Sequence, residues 1–283
     1  MATYAEKDFD SNNYNVNRPR YPNSLFNALF EYHQGPKNLA LDAGSGPGTA
    51  SFPLLDHGVE KVIATDASDV MIKPGVESIT PDLKDKIEFK VFPAENLIEP
   101  LEGQTADLVI VAEALHWINH DEFFEQASKA LRPNGTLAYW GYVEPRFIDF
   151  PKANEIYQKY VYEDDRYMGP KWIQPSKNFL RYFFNDVHVP NECFKDIEKH
   201  DYYPGETKTH TAYFHGDSKY TMKKFIDYLQ SWSAYHTWQK DNVDKGEDIA
   251  ILFTNELKET FGWTDETELR VEWGTTYTFA RRK

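Results

Sequence analysis

A single cysteine, Cys193, stands in 283 residues. It excludes an internal disulfide, and no Cys/His spacing suggests zinc, so no metal is expected. Runs of Lys and Arg are also missing; the densest is the tail Arg281-Arg282-Lys283. With 45 acidic against 31 basic residues, the formal net charge is -14. Such a surface repels a duplex or an anionic membrane, so nucleic acid is not an expected partner. A small anion stays possible, because one buried arginine outweighs distant surface charge. The longest apolar stretch, Leu108 to Leu115, contains Glu113 and is too short to span a bilayer. Met1 to Asp8 holds no apolar signal core. The expectation is a soluble, cytoplasmic protein and a monomer, with no internal repeat and no low-complexity linker.

What is present is apolar and aromatic. Hydrophobic residues make up 41% and aromatic ones 16%, enough for one large domain or a domain with a substantial cap. The chain is organised around Leu39-Ala40-Leu41-Asp42-Ala43-Gly44-Ser45-Gly46-Pro47-Gly48-Thr49-Ala50. An apolar run feeds an acid, and the acid feeds three glycines at alternate positions. This reads as a buried strand ending in a backbone-lined loop that a ligand can approach closely.

Around that loop the chain reads as follows. Tyr14 to Pro22 cannot be a regular helix, because two prolines interrupt it; it is either a mobile end or an arm docked as a lid. Residues 23–34 and 49–57 read as helices, and 68–77 as a helix broken at Pro74-Gly75. Strands are expected over 59–66, 87–92, 106–111 and 136–143, a helix over 121–131, and a turn at Arg132-Pro133-Asn134-Gly135. Strands alternating with helices predict right-handed crossovers and a mostly parallel sheet. Beyond Pro145 the pattern changes to aromatics, charges and short helical pieces. A sixth strand is expected over 194–203, a long aromatic helix over 217–240, a helix over 247–261 and a last strand over 268–281. The implied divisions are an arm and helix (1–36), a ligand-binding core (37–145), cap insertions with the sixth strand (146–262) and a final strand (263–283).

In an open α/β sheet, ligands sit beyond the carboxyl ends of the strands. Those ends carry Asp42 with Gly44, then Asp66, Glu95 and Glu113. A dinucleotide fingerprint needs Gly-x-Gly-x-x-Gly, and its third glycine would fall on Thr49. The loop here is Gly-x-Gly-x-Gly behind an acid, which suits a ligand with a cationic end. S-adenosylmethionine has an ammonium, a sulfonium, a ribose diol and an adenine. Asp42 would lie near its amino-acid end, if only through water. Asp66 would take the ribose, and Ala94-Glu95-Asn96 would meet the adenine. Asp66 could instead be a plain turn former before Ser68, and Glu95 a solvated loop acid.

These features resemble the class I S-adenosylmethionine-dependent methyltransferases. More narrowly, the chain is similar to the fungal trans-aconitate methyltransferases and the cantharidin-resistance methyltransferases. The likeness is carried by Tyr14 to Pro22, the glycine loop, Ala112-Glu113-Ala114-Leu115-His116-Trp117, Ala138 to Tyr142, Phe147 to Pro151, Ser231-Trp232-Ser233-Ala234-Tyr235 and Asp248 to Glu259. Ser45, where many relatives carry cysteine or another residue, departs from it with little consequence. The resemblance implies a Rossmann-like α/β sheet of about seven strands, the last antiparallel, under a helical cap. It also implies a cofactor set of Tyr14, Asp42, Ala43, Gly44, Gly46, Asp66, Ala67, Met71, Ala94, Glu95 and Glu113.

Methyl transfer asks a protein to align nucleophile and methyl and to exclude water. A carboxylate nucleophile is ionised at neutral pH and needs no base, and its product is a methyl ester. A second carboxylate would want a cation: Arg18 in the arm first, Arg146 and Arg166 in reserve. A hydroxyl or amine acceptor would need a base, and His116 beside Trp117 is the candidate unless it merely packs there. Tyr21, Trp140, Trp232 and Tyr235 are candidates for an aromatic substrate wall, or for ordinary cap core. Three other readings are weaker. A dehydrogenase is disfavoured by Thr49, although Tyr220 and Lys224 have a Tyr-x-x-x-Lys spacing. A lipid-binding relative, making weak lipid contact through the aromatic helix, has few bases to hold a membrane. A nucleic-acid methyltransferase conflicts with the charge.

Overall fold

The computed structural model describes residues 3–206, 220–242, 246 and 248–283. Its centre is a seven-stranded sheet, and the early strands are the apolar runs of the sequence. β1 (Leu39–Ala43) and β4 (Ala106–Ala112) are buried at every position, as expected of parallel strands covered on both faces. β2 (Lys61–Asp66) and β3 (Ile87–Val91) continue the parallel set. β5 (Leu131–Phe147) follows, then β6 (Phe194–Tyr202) and β9 (Val271–Arg282). The order is β3-β2-β1-β4-β5-β9-β6, with β9 antiparallel to both neighbours. The strand order reverses between β1 and β4, which puts the ligand-binding crevice above their carboxyl ends.

Helices cover the two faces by the period-two rule. Ala40, Ile110, Ala138 and Trp140 face α2 (Asn23–Tyr32) and α3 (Ser51–Asp56). Leu41, Val109, Val111 and Tyr139 face α5 (His120–Ala130). α4 (Asp69–Glu77) runs without a break through Pro74, where the sequence suggested an interruption. The proline costs one intrahelical hydrogen bond. Gly75 offsets that by close packing, since a Cβ there would lie 2.5 Å from Phe89.

Two further expectations are revised. The turn at 132–135 is absorbed into β5 as an irregularity: the β4 pairing shifts register between Ala106 and Leu108, and Asn134 takes φ 61. The single helix over 217–240 is two, α8 (Met222–Leu229) and α9 (Ser233–Asp241), preceded by the short strand β7 (Tyr220–Thr221); positions 217–219 lie outside the described residues. β7 pairs with β8 (Glu268–Leu269).

β5 and β9 are long enough to leave the sheet and carry the cap. Their pairing continues past a register shift at Tyr142/Pro145 as far as Phe147↔Val271. On that extension pack α6 (Pro151–Gln158), α8, α9 and α10 (Ile249–Phe261), through a second core containing Tyr157, Phe225, Tyr228, Leu229, Phe253 and Trp273. α7 (Ser176–Arg181) lies against β5 and the turn at Leu115–Trp117.

Candidate active site

β1 ends in the glycine loop. Gly44 and Gly46 both take positive φ, 69° and 50°. A Cβ on Gly44 would stand 2.6 Å from that of Ala114, so only glycine fits the turn. Asp66, at the end of β2, fixes the loop. Its two carboxylate oxygens accept the N–H groups of Gly46 and Ser68, each at 2.9 Å. Burial pushes the Asp66 carboxyl above its ordinary pKa, and the two N–H bonds work against that rise. A carboxylate has about four lone-pair sites, so Asp66 can still accept hydroxyls of a ligand.

Above the loop is a cleft of about 200 Å³, lined among others by Gly44, Gly46, Asp66, Ala67, Met71 and Glu95. Ala94 and Glu113 complete that wall. A backbone floor, an acid with open lone pairs and apolar sides fit an adenosyl cofactor. Glu95 has a partner within the protein: its Oε1 accepts the Asn119 N–H at 2.8 Å, at the cap of α5. Asp42 and Ala43 do not reach the cleft wall. Asp42 is fully buried beneath the loop, where Ser51 donates to its Oδ2 at 2.6 Å; burial raises its pKa to about 7.

The arm is docked. The prolines end a helix rather than prevent one: α1 (Ser11–Asn17) is capped by Asp10 and stops at Arg18, which is extended (ψ 142) as a residue before proline must be. That change of direction sends Arg18 inward. Ser68 donates to the Tyr4 carbonyl at 3.0 Å, and the Tyr4 ring stands edge-on to Trp117 at 5.7 Å. Glu6 and Asp8 pair with Lys240 on α9, and His236 lies 3.3 Å from Glu6.

Under the arm and the cap lies a second, narrower space, which shares Tyr4, Tyr14, Glu113 and Trp117 with the cleft. Arg18 lies in its wall. Its guanidinium donates to the Tyr142 and Tyr4 hydroxyls, both at 3.1 Å, and to the Ser231 carbonyl at 3.2 Å. It also stands 4.7 Å over the Tyr14 ring. Among the described residues no carboxylate pairs with it, and its buried Nε–H has no acceptor. A buried cation with a spare donor is a site that an anion would satisfy.

Three ionisable groups accompany Arg18. Glu113 takes φ 54, accepts the Tyr142 N–H at 2.9 Å, and sits where a Cβ on Gly141 would come within 2.9 Å of its Oε2. Burial raises its pKa to about 7, opposed by the nearby Arg18 charge. His116 is held at a pKa of about 3, by burial first and then by Lys177 and Arg18, so its ring is neutral at pH 7. Its Nδ1 is buried without a partner. Lys177 on α7 lies in the same wall, with burial lowering its pKa to about 8.

The other candidates scatter. Trp232 lines the second space, whereas Tyr21 lines the cleft above the glycine loop. Trp140 is fully buried against Tyr21 and Phe26 and lines neither. Tyr235 faces an outer groove and donates to Asp248. Arg146 is exposed on β5, and Arg166 is paired with Asp164 at 2.6 Å. Sequence reasoning missed Tyr4, Lys177 and Tyr228. No motif marks them; only the fold brings them to Arg18.

Comparisons with known proteins agree with this geometry. The family described as "Methyltransferase domain" matches residues 41–139. A protein of Saccharomyces cerevisiae, "Probable S-adenosylmethionine-dependent methyltransferase CRG1", is 35% identical over 292 aligned positions, covering 100% of this chain and 99% of its own. "Methyltransferase cfoB" of Aspergillus candidus is 30% identical, with 74% of this chain and 68% of its own aligned. A solved structure from Anaeromyxobacter dehalogenans, a "Putative Type II Methyltransferase", superposes with a TM-score of 0.66 at 24% identity, over 93% of this chain and 97% of its own. With the fold, the cleft and these relatives in agreement, the chain belongs to the class I S-adenosylmethionine-dependent methyltransferases, and S-adenosylmethionine is its cofactor.

Proposed function

We propose that this enzyme methylates a carboxylate of a small organic acid, giving a methyl ester. The observation that carries the reading is Arg18: a desolvated guanidinium in the acceptor space, with a free Nε–H and no acid of its own among the described residues. Bound S-adenosylmethionine supplies an electrophilic methyl on a sulfonium. The glycine loop, Asp66 and Glu95 would hold it. Tyr4 and Tyr14 in the docked arm close over the boundary of the two spaces and keep water out. Arg18 would hold and orient the acceptor acid.

A carboxylate gives up no proton when it is methylated, so the site needs no strong base. His116, with a pKa of about 3, is a poor one, which weakens the reading of a phenol acceptor activated by that residue. Glu113, near 7 and lining both spaces, is the group that would serve a hydroxyl acceptor instead. The apolar side chains Phe225, Tyr228, Leu229 and Trp232 are buried in the cap, which weakens the lipid-contact reading. Among the described residues no helix is long and apolar enough to cross a membrane.

The test is transfer of labelled methyl from S-adenosylmethionine to a panel of polycarboxylic acids, phenols, amines and lipids. Label in the acids supports the proposal. Label confined to phenols or amines contradicts it and moves attention to Glu113.

A further inference from the structure

Lys177 is a lysine without a local reason. It sits in the first turn of α7, at the positive end of the helix dipole, where a cation is unfavourable. Its ammonium lies 4.4 Å over the Trp172 ring and 5.6 Å over that of Tyr162. Among the described residues no carboxylate forms an ion pair with it. Arg181, one turn later on the same helix, does have its acid: Glu144 at 2.7 Å, with Gln158 close by. The contrast matters because both cations are drawn into the cap. Arg181 is neutralised, and Lys177 is left facing the space that Arg18 also faces.

The charged groups around Lys177 come from four places. Glu144 belongs to β5, Glu113 to the loop after β4, Arg18 to the arm and Arg181 to α7 itself; His116 is neutral. Glu144 is taken by Arg181. Glu113 holds its proton up to about pH 7. While Glu113 holds its proton, Arg18, Lys177 and Arg181 stand against Glu144 alone, an excess of two charges that a singly charged acid does not use up.

We infer that Lys177 is a specificity-determining residue that receives a second anionic group of the acceptor, so that doubly charged acids are preferred over singly charged ones. This rests on the carboxylate reading of the acceptor space. The aromatic faces of Trp172 and Tyr162 keep the ammonium extended and poorly hydrated, ready for a second carboxylate. The acid that accepts methyl becomes an ester and loses its charge. The second carboxylate keeps its own, and Lys177 would discriminate for it before and after transfer.

The experiment compares linear dicarboxylates, succinate through suberate, with the monomethyl ester of each, which has the same skeleton and one charge fewer. Dissociation constants and KM values are measured for the whole protein, for Lys177→Met and for Lys177→Arg. The expected result is that the best dicarboxylate binds the unmodified protein about tenfold or more tighter than its half-ester, the scale of one charge-assisted hydrogen bond. Lys177→Met removes that ratio while leaving half-ester binding within about twofold, and Lys177→Arg retains it. In a Glu113→Gln background, which removes the neighbouring titration near pH 7, the ratio falls as pH rises through about 8, where Lys177 loses its proton. That arm decides the matter should Lys177→Met fail to fold. An unchanged ratio in a folded Lys177→Met, or a ratio flat through pH 8, overturns the role of Lys177 alone. Failure of every acid, singly or doubly charged, to bind overturns the carboxylate reading with it.

Discussion

Replacing Arg18 by Gln removes the cation and leaves a side chain that still reaches polar neighbours. A guanidinium has five N–H donors, and Tyr142, Tyr4 and Ser231 take three of them. Two are left, the buried Nε–H and one Nη1–H; they lie on different edges of the guanidinium, so one carboxylate takes one of them. A charge-assisted hydrogen bond contributes about 1.5–3 kcal/mol, so losing that contact costs about 2 kcal/mol. That is on the order of a 30-fold fall in kcat/KM for the acid, expressed mainly in KM if the contact is equal in ground and transition states. The assay is initial-rate methyl transfer at saturating cofactor, with S-adenosylhomocysteine affinity by calorimetry as the control. Arg18→Lys keeps the charge but not the fork, and an intermediate loss is expected. An unchanged acceptor KM would refute the assignment. Equal loss of cofactor affinity would refute it differently, by showing that Arg18 acts through the docking of the arm.

Asp66→Asn places an amide N–H against the N–H of Gly46 or Ser68, so cofactor affinity should fall about 30-fold, equivalent to about 2 kcal/mol; calorimetry showing unchanged affinity would remove Asp66 from the cofactor site. Glu113 has its pKa raised by burial, so the folded state holds a proton that the unfolded chain loses above about 4.5. Its penalty to stability therefore grows from that pH up to about 7, and above 7 the anion repels an acidic acceptor. Acceptor KM should accordingly rise with pH through about 7 in the unmodified enzyme, and Glu113→Gln should abolish that step in KM–pH profiles. Lys240→Gln undoes the clasp to Glu6 and Asp8, and hydrogen exchange should quicken over residues 3–17 while β1 and β4 stay protected. The Glu6 and Asp8 carboxyls are held below their usual range by Lys240, so the clasp is complete above their unfolded pKa values and lost as pH falls through the lowered ones.

The sheet was legible because burial on both faces writes itself as continuous apolar runs. Leu39–Ala43 and Ala106–Ala112 cannot be solvent strands, and the loop acids follow from where those runs end. Trp140 was misplaced because its side of the strand packs into the core under α2. Ala138 and Trp140 point that way, and β5 meets the second space only further on, through Tyr142, Val143 and Pro145. Tyr235 was misplaced because the break between α8 and α9 reorients the helical stripe, a break that composition does not announce. Arg18 was legible through Pro19, which fixes the residue before it outside the helix. Lys177 was not: α7 is six residues long, too short for a periodic signal, and its partners come from the arm, the β4 loop and β5.

The central claim is the chemical class of the product. The most direct measurement is the alkali lability of methyl transferred by the enzyme from labelled S-adenosylmethionine to its preferred acceptor. A methyl ester releases the label as volatile methanol under mild base, and the account predicts that outcome, with Arg18→Gln lowering the yield at limiting acceptor. Label that stays with the acceptor through the same treatment, as an ether or an N-methyl group does, would contradict it.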